Sequence, residues 1–176
     1  MTDELAEKIA SHGRWLENPI MGLQGKIALR EYVGYDFTGC NLHKFIIRQS
    51  NIDGCVFNNA DCSNATFLKN RGAATFTGAN ITDSNFEFSD VDKLDLIGAT
   101  WRGTVINTKA GALQDETFFT LLTNAFIQIG CRQKTFAEWD AMTDEDRRAL
   151  VPSNPQSAVD WWLANREELL NYTTQT

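Results

Sequence analysis

Residues 35–67 read YDFTGCNLHKFIIRQSNIDGCVFNNADCSNATF, and an apolar side chain returns in them at every fifth position: Phe37, Leu42, Ile47, Ile52, Phe57, Cys62 and Phe67. The beat resumes at Phe76 and runs on through Ile81, Phe86, Val91, Leu96, Trp101 and Ile106. Two positions before most of these stands a small residue, as at Cys40, Ser50, Cys55, Ala60, Ala65, Ala74, Ala79, Ser84, Ser89 and Ala99. Between the two lies most often Asp, Asn or Thr, as at Asp36, Asn41, Asn51, Asp61, Asn80, Asn85, Asp90 and Asp95. A period of five matches neither an amphipathic helix nor an alternating strand. An ordinary sandwich of short strands would not keep such a phase over seventy residues.

Self-similarity at fixed period signals an architecture in which each unit buries its apolar residue only by stacking on its neighbours. Four pentapeptides, each one side of a square coil, return the chain to its starting edge. Residues twenty apart then stack at the ~4.8 Å spacing of paired strands. On this register Phe37, Phe57, Phe76 and Leu96 form one face, Leu42, Cys62, Ile81 and Trp101 the next, and Ile47, Phe67, Phe86 and Ile106 the third. Burying each large member contributes roughly 1.5–3 kcal/mol. From Phe67 to Phe76 the step is nine rather than ten, so one residue is missing around Leu68–Gly72, on the fourth face between Ile52 and Val91. That predicts a bulge or protruding corner, with Gly72 supplying the backbone freedom. Tyr35 and Phe45 are too large for the small-residue position, and Leu94 and Trp101 are bulky at the other end, which places caps at both ends of the column.

Segments such as FTGCNL, FTGANI and IGATW resemble pentapeptide-repeat proteins. The resemblance implies a mainly β fold, a right-handed quadrilateral β-helix of about 3.5 coils. With it come an N-terminal capping helix and linker over 1–24, repeats over 25–107, and a C-terminal β-hairpin plus helices over 108–176 as cap or oligomerisation region. HGRWLEN before the repeats, and IQIGCRQKTFAEWDAM and AVDWWLANREELL after them, are similar to a variety of this family found in bacteriophages and prophages.

The flanks carry their own signals. Residues 2–17 read as a short helix with Leu5, Ile9, Trp15 and Leu16 on its apolar side, ended by Asn18-Pro19, and its task is to cover the open first coil. Thr117–Thr123 and Ala125–Cys131 read as two strands around Asn124. Thr135 and Glu138 form a capping-box pattern opening a short helix through Trp139 and Met142. Another helix lies near Asp144–Leu150, a loop at Pro152 and Pro155, and a last helix over Ser157–Tyr172. Its apolar side carries Ala158, Val159, Trp162, Leu163, Leu169 and Leu170, with Trp161 at the margin.

Composition narrows the function. No apolar run of eighteen residues and no leader pattern is present, so no membrane partner and a cytoplasmic location are expected, in the host cytoplasm if phage-encoded. Cys40, Cys55 and Cys62 fall on interior positions and read as reduced core thiols, and the four cysteines match no metal spacing. His43 should point outward and His12 lies in the first helix; both read as surface histidines without catalytic partners. No phosphate loop, dinucleotide fingerprint or metal motif occurs, so neither catalytic residue, cofactor nor metal is expected. A net charge of −7 argues against direct nucleic-acid binding.

What remains is protein binding. The resemblance implies that a rod of duplex-like girth bearing ordered carboxylates inhibits a DNA-acting enzyme by imitating DNA. The carboxylates placed to do so are Asp53, Asp90 and Asp92 on the fourth face, with Glu87 and Asp95 beside them. Lys69, Arg71 and Lys93 dilute that array, and the Lys69–Arg71 corner offers an alternative, shape-based contact. The expected partner is a host protein, namely a CRISPR effector, restriction nuclease or topoisomerase. A structural or oligomerisation module is the other reading, with a homodimer through Trp139, Trp161 and Trp162; alternatively these tryptophans plug the last coil at Trp101.

Overall fold

The computed structural model describes residues 2–113 and 117–174. Helix α1 (Asp3–Glu17) is followed by short strands β1 (Lys26–Ala28), β2 (Ile46–Arg48), β3 (Cys55–Val56), β4 (Thr66–Leu68), β5 (Ala74–Thr75) and β6 (Leu94–Asp95). All of these pair in parallel, β1 with β2 with β4 and β3 with β5 with β6. Ile27 opposes Ile47 and Ile47 opposes Phe67, each at a spacing of twenty. The chain is therefore a β-helix-type coil, and it begins one half-turn earlier than the quoted motif, at Ile27 and Tyr32.

The unit explains itself chemically. At most corners the Asp or Asn before the buried apolar residue accepts, through Oδ1, the backbone N–H two residues on. Asp36, Asn41, Asn51, Asp61, Asn80, Asn85 and Asp95 all do so at 2.8–3.1 Å. This Asx-turn sets up the corner and lets the next pentapeptide begin. Between the corners phenylalanines stack face to face: Phe37 on Phe57 at 4.7 Å, Phe57 on Phe76 at 4.8 Å, and Phe67 on Phe86 at 5.0 Å. Adjacent columns meet edge-on, as Phe57 with Phe67 at 5.3 Å. Both arrangements suit the quadrupoles of the rings.

The missing residue is where the spacing put it, but the corner is drawn in rather than pushed out. Asn51 opposes Arg71 at twenty residues, whereas Cys55 opposes Ala74 at nineteen. Gly72 (φ +93°) lies so close to Asp53 that a Cβ there would sit 2.7 Å from its Cα. Inside this corner Asn70, in register with Ser50 and Ser89 at the small-residue position, is buried. Its Nδ2 donates to the Ile47 carbonyl at 2.9 Å, its Oδ1 accepts from Ser50 N–H at 3.0 Å, and its own N–H donates to Ser89 Oγ at 3.0 Å.

The coil ends earlier than the beat suggests. β7 (Thr100–Trp101) and β8 (Thr104–Val105) are antiparallel, reversing through Arg102 and Gly103, both at positive φ. Consecutive left-handed residues make the tight hairpin turn that matches strand twist. Ile106 is thereby folded back beside Ala99 instead of stacking on Phe86. Gln128 occupies that end: its Oε1 accepts from Phe86 N–H at 3.3 Å and its Nε2 donates to Asn85 Oδ1 at 2.8 Å.

Gln128 belongs to a three-stranded antiparallel sheet of β9 (Thr120–Leu122), β10 (Ile127–Ile129) and β11 (Arg132–Lys134), in the order β11-β10-β9. A hairpin was expected; β11 is additional, its polar Arg-Gln-Lys sequence carrying no apolar signal. Its inward residue is Gln133, which accepts the Trp101 indole N–H at 2.8 Å. Phe126 packs on Trp101 at 5.4 Å, so this sheet, and not the helical tryptophans, closes the last coil.

Helices α2 (Phe136–Asp140) and α3 (Asp144–Leu150) each begin with a complete capping box, Thr135 with Glu138 and Thr143 with Asp146. Helix α4 (Pro155–Thr174) starts at Pro155, which was expected in the loop; proline suits a first helical turn because its absent N–H would be unsatisfied there anyway. Among the described residues no helix is long and apolar enough to cross a membrane.

At the other end α1 docks on the first coil through Leu5, Ile9 and His12. His12 is not a surface histidine: its side chain is fully buried, stacked on Trp15 and edge-on to Phe45 at 5.0 Å. Its Nδ1 accepts the Gly25 N–H at 2.9 Å, so the ring is neutral there and Nε2 donates to the His43 carbonyl at 2.9 Å. Burial holds its pKa below the ordinary imidazole value. The oversized Phe45 thus marks the cap contact, and Gly25 is required because a Cβ would strike the Phe45 ring.

Candidate protein-interaction surfaces

The carboxylates singled out in the sequence are largely engaged in holding the coil together. Asp53 Oδ1 accepts from Ala73 N–H at 2.9 Å across the drawn-in corner. Asp90 Oδ2 accepts from Gly72 N–H at 3.2 Å and from Lys93 Nζ at 2.9 Å. The Lys93 ammonium holds Asp90 below the usual carboxylate range. Asp95 forms an Asx-turn. Arg71 pairs with Glu31. Asp92 falls in the short helical turn Val91–Lys93, and Glu87 lines a cavity of the C-terminal region instead. The array is therefore interleaved with cations and committed to backbone N–H groups.

The three tryptophans are buried within this chain. Trp139, Trp161 and Trp162 form a second core with Leu122, Ile127 and Leu169 behind the three-stranded sheet. Trp139 Nε1 donates to the Ile127 carbonyl at 2.9 Å. Trp101 packs on Phe126, and none of the three is more than 6% exposed.

A different surface is open. The corner that follows β1, β2 and β4 stacks Leu29, Gln49, Lys69 and Phe88, all at φ between +50° and +58°. Other corners use glycine or asparagine at many of these positions, as at Gly39, Asn59, Gly78 and Gly98. A left-handed conformation for a bulky apolar residue is uncommon and strained. Leu29 is nonetheless 72% exposed and Phe88 57% exposed. Lys69 lies over the Phe88 ring at 5.4 Å. Beside this ridge, Arg48 and Leu68 oppose one another on paired strands, and Lys26 opens β1. Among the described residues Lys26, Arg48 and Lys69 form no ion pair, while Arg14, Arg30, Arg71, Lys93 and Arg102 all do. Lys69 was anticipated; Leu29, Arg48 and Phe88 were not. The available signal was an apolar residue at the corner position where glycine or asparagine would be easier.

Residues 36–67 match the family model for Pentapeptide repeats, in 8 copies. Over that stretch the five-residue beat matches that repeat. Among solved structures, the chain is similar to a pentapeptide repeat protein from the thylakoid lumen of Arabidopsis thaliana, at 23% identity and TM-score 0.36, covering 46% of this chain and 59% of that one. It is similar to the pentapeptide repeat protein Rfr23 from the cyanobacterium Cyanothece 51142, at 18% identity and TM-score 0.32, covering 46% and 63%. HetL, a pentapeptide repeat protein involved in heterocyst differentiation regulation in Nostoc sp. strain PCC 7120, matches at 16% identity and TM-score 0.22, covering 46% and 42%. The matched part thus spans less than two thirds of each of these proteins. No curated protein matches the chain. Among the described residues no group of three or more His, Cys, Asp or Glu is placed to hold a metal.

Proposed function

We propose that this chain is a non-enzymatic, rigid pentapeptide-repeat rod that binds a partner protein through the Leu29–Phe88 ridge. The observation that carries the reading is the coincidence, on one side of the coil, of exposed Leu29 and Phe88 in left-handed backbone with Lys69 on the same corner and Lys26 and Arg48 on the adjoining strands, none of the three ion-paired among the described residues. Apolar anchors rimmed by charge are the composition of an interface, and the unpaired cations select an acidic segment on the partner. The flanks support a bacteriophage setting, and with it a target among host DNA-acting or antiviral defence enzymes, such as a CRISPR effector, restriction nuclease or topoisomerase. In that setting the rod, a right-handed quadrilateral column on this reading, blocks its target by surface fit. Charge mimicry of DNA fits less well, because Asp53, Asp90 and Asp95 serve their own backbone and Arg71 and Lys93 stand among them.

Affinity capture from a bacterial host lysate tests this, with Lys69→Glu/Phe88→Ser and Asp92→Asn compared against the parent chain. Retention of a DNA-acting or defence enzyme that is lost in the ridge variant and kept in Asp92→Asn supports the reading. Loss with Asp92→Asn alone would restore charge mimicry. Retention of no protein from any host lysate would favour a structural module.

A further inference from the structure

The C-terminal region holds a partly open cavity of about 240 Å³ between the three-stranded sheet and the helices α2 to α4. Its walls are aromatic, formed by Phe118, Trp139, Trp161 and Trp162, with Val151 and Ala158 on the helical side. The polar groups around it are lopsided. Three buried polar side-chain atoms lack a hydrogen-bond partner among the described residues, and two of them, Arg147 Nε and Trp161 Nε1, belong to residues of this lining. Both are donors. More than nine in ten buried polar groups find a partner in native proteins, so two orphans around one cavity call for an explanation.

The Arg147 guanidinium is buried and lies over the Trp162 ring at 5.0 Å. It donates to the carbonyls of Trp139 and Asp140 at 3.1 and 3.3 Å and pairs with Asp144 at 3.3 Å. Asp140 and Asp146 also lie close enough to feel its charge, so it is the unused Nε–H that lacks a partner. Arg132, exposed and without an ion pair among the described residues, adds a second guanidinium to the lining. Glu87 is the one carboxylate there.

We propose that this cavity binds a small aryl carboxylate. The ring occupies the space between the tryptophan walls, and the carboxylate lies toward Arg147 and Arg132, away from Glu87. Guanidinium–carboxylate pairing is charge-assisted and geometrically specific, which sets the anion apart from a neutral analogue of the same shape. The site adjoins the Phe88 end of the ridge, with Glu87 in its lining and Phe88 packed on Phe119 at 5.9 Å, but binding here needs no partner on the ridge.

The test is a titration with trans-cinnamate and, in parallel, its neutral isostere cinnamamide, following the indole N–H signals of the five tryptophans by two-dimensional NMR. The Trp161 signal is assigned by its disappearance in Trp161→Phe. The expected result is a saturating movement of the Trp161 N–H signal by cinnamate, with cinnamamide about tenfold weaker or worse. Arg132→Ala should weaken cinnamate without altering the unliganded spectrum, Glu87→Gln should tighten it, and Val151→Phe, which fills the space, should abolish it. An unmoved Trp161 signal at about 10 mM cinnamate, well beyond any specific affinity, would overturn the proposal. So would equal binding of the amide, or binding that survives Val151→Phe.

Discussion

In the coil, Phe57 meets Phe37 on one side at 4.7 Å and Phe76 on the other at 4.8 Å, in nearly parallel planes. In the cap, Trp161 meets Phe118 at 5.5 Å, edge-on, with its indole N–H unused. The two regions bury comparable rings by different means. In the coil every residue has a counterpart nineteen or twenty positions away in an equivalent setting, so one solved packing and hydrogen-bonding problem is repeated. In the cap each contact is solved once, between elements of different kind. Repetition leaves the coil nearly free of unsatisfied groups, Arg48 Nε being its one orphan among the described residues. The irregular cap retains a cavity and two orphans, and unfilled chemistry of that sort is where a ligand finds room.

The sharpest way to break this contrast is to remove a ring from the middle of a column. Phe57→Ala should cost about 3–5 kcal/mol, because stacked neighbours on both sides cannot close the gap. Denaturant unfolding should report the loss as a single shifted transition of the coil. Gly72→Ala comes next. It places a Cβ against the Asp53 backbone at positive φ and should cost more than about 2 kcal/mol. Gly39→Ala, also at positive φ but with nothing within 4 Å, should cost only about 1 kcal/mol. The difference between the two isolates the close approach from the dihedral strain.

The His12 clamp makes the N-terminal cap sensitive to acid while the coil core is not. Its folded-state pKa is lowered, by burial first, and the nearby His43 ring adds to the effect. The unfolded chain therefore takes up the proton near 6.5, and the folded one only at lower pH. The clamp's stabilisation is complete above about 6.5 and declines as pH falls from there toward the folded value. Unfolding midpoints at pH 7.5 and 5 should differ for the parent chain, and the gap should narrow in His12→Phe.

Smaller still is Thr143→Ala, which removes one capping box at α3 and should cost about 1 kcal/mol, confined to the cap by hydrogen exchange. Last, alkylation should rank the thiols. Cys131 is exposed and should react first and Cys40, half-buried, more slowly. Cys55, pushed up to about 11 by burial, and Cys62, raised by burial as well, should react only on unfolding. Mass spectrometry after timed quenching reads the order; early labelling of Cys62 would show that the coil opens.

Legibility follows the same division. The phase of Phe37 through Trp101 placed the interior, the caps and the short corner, because a period is a statement about three dimensions written in one. Thr135 announced its helix because capping is local. Ile106 kept the beat yet left the column, since two left-handed residues, Arg102 and Gly103, outweighed one apolar one. β11 was silent because its inward residue, Gln133, is polar and is matched to Trp101 through the fold alone. His12 was misread for a related reason: its partners are the backbones of Gly25 and His43, which leave no mark on side-chain spacing. The acidic candidates were legible as positions but not as roles, because an Asx-turn and a free carboxylate are spelled with the same letter.

The count of residues per turn drops from twenty at Asn51–Arg71 to nineteen at Cys55–Ala74, and it is back at twenty by Asn80–Thr100. In an ordinary strand, losing one residue would turn every later side chain to the wrong face. Here the loss is erased within a few residues, at the price of one glycine and one inward asparagine. Chains of this design can therefore shed or gain single residues as well as whole turns, and Asn70-Arg71-Gly72 is legible as the scar of such an event.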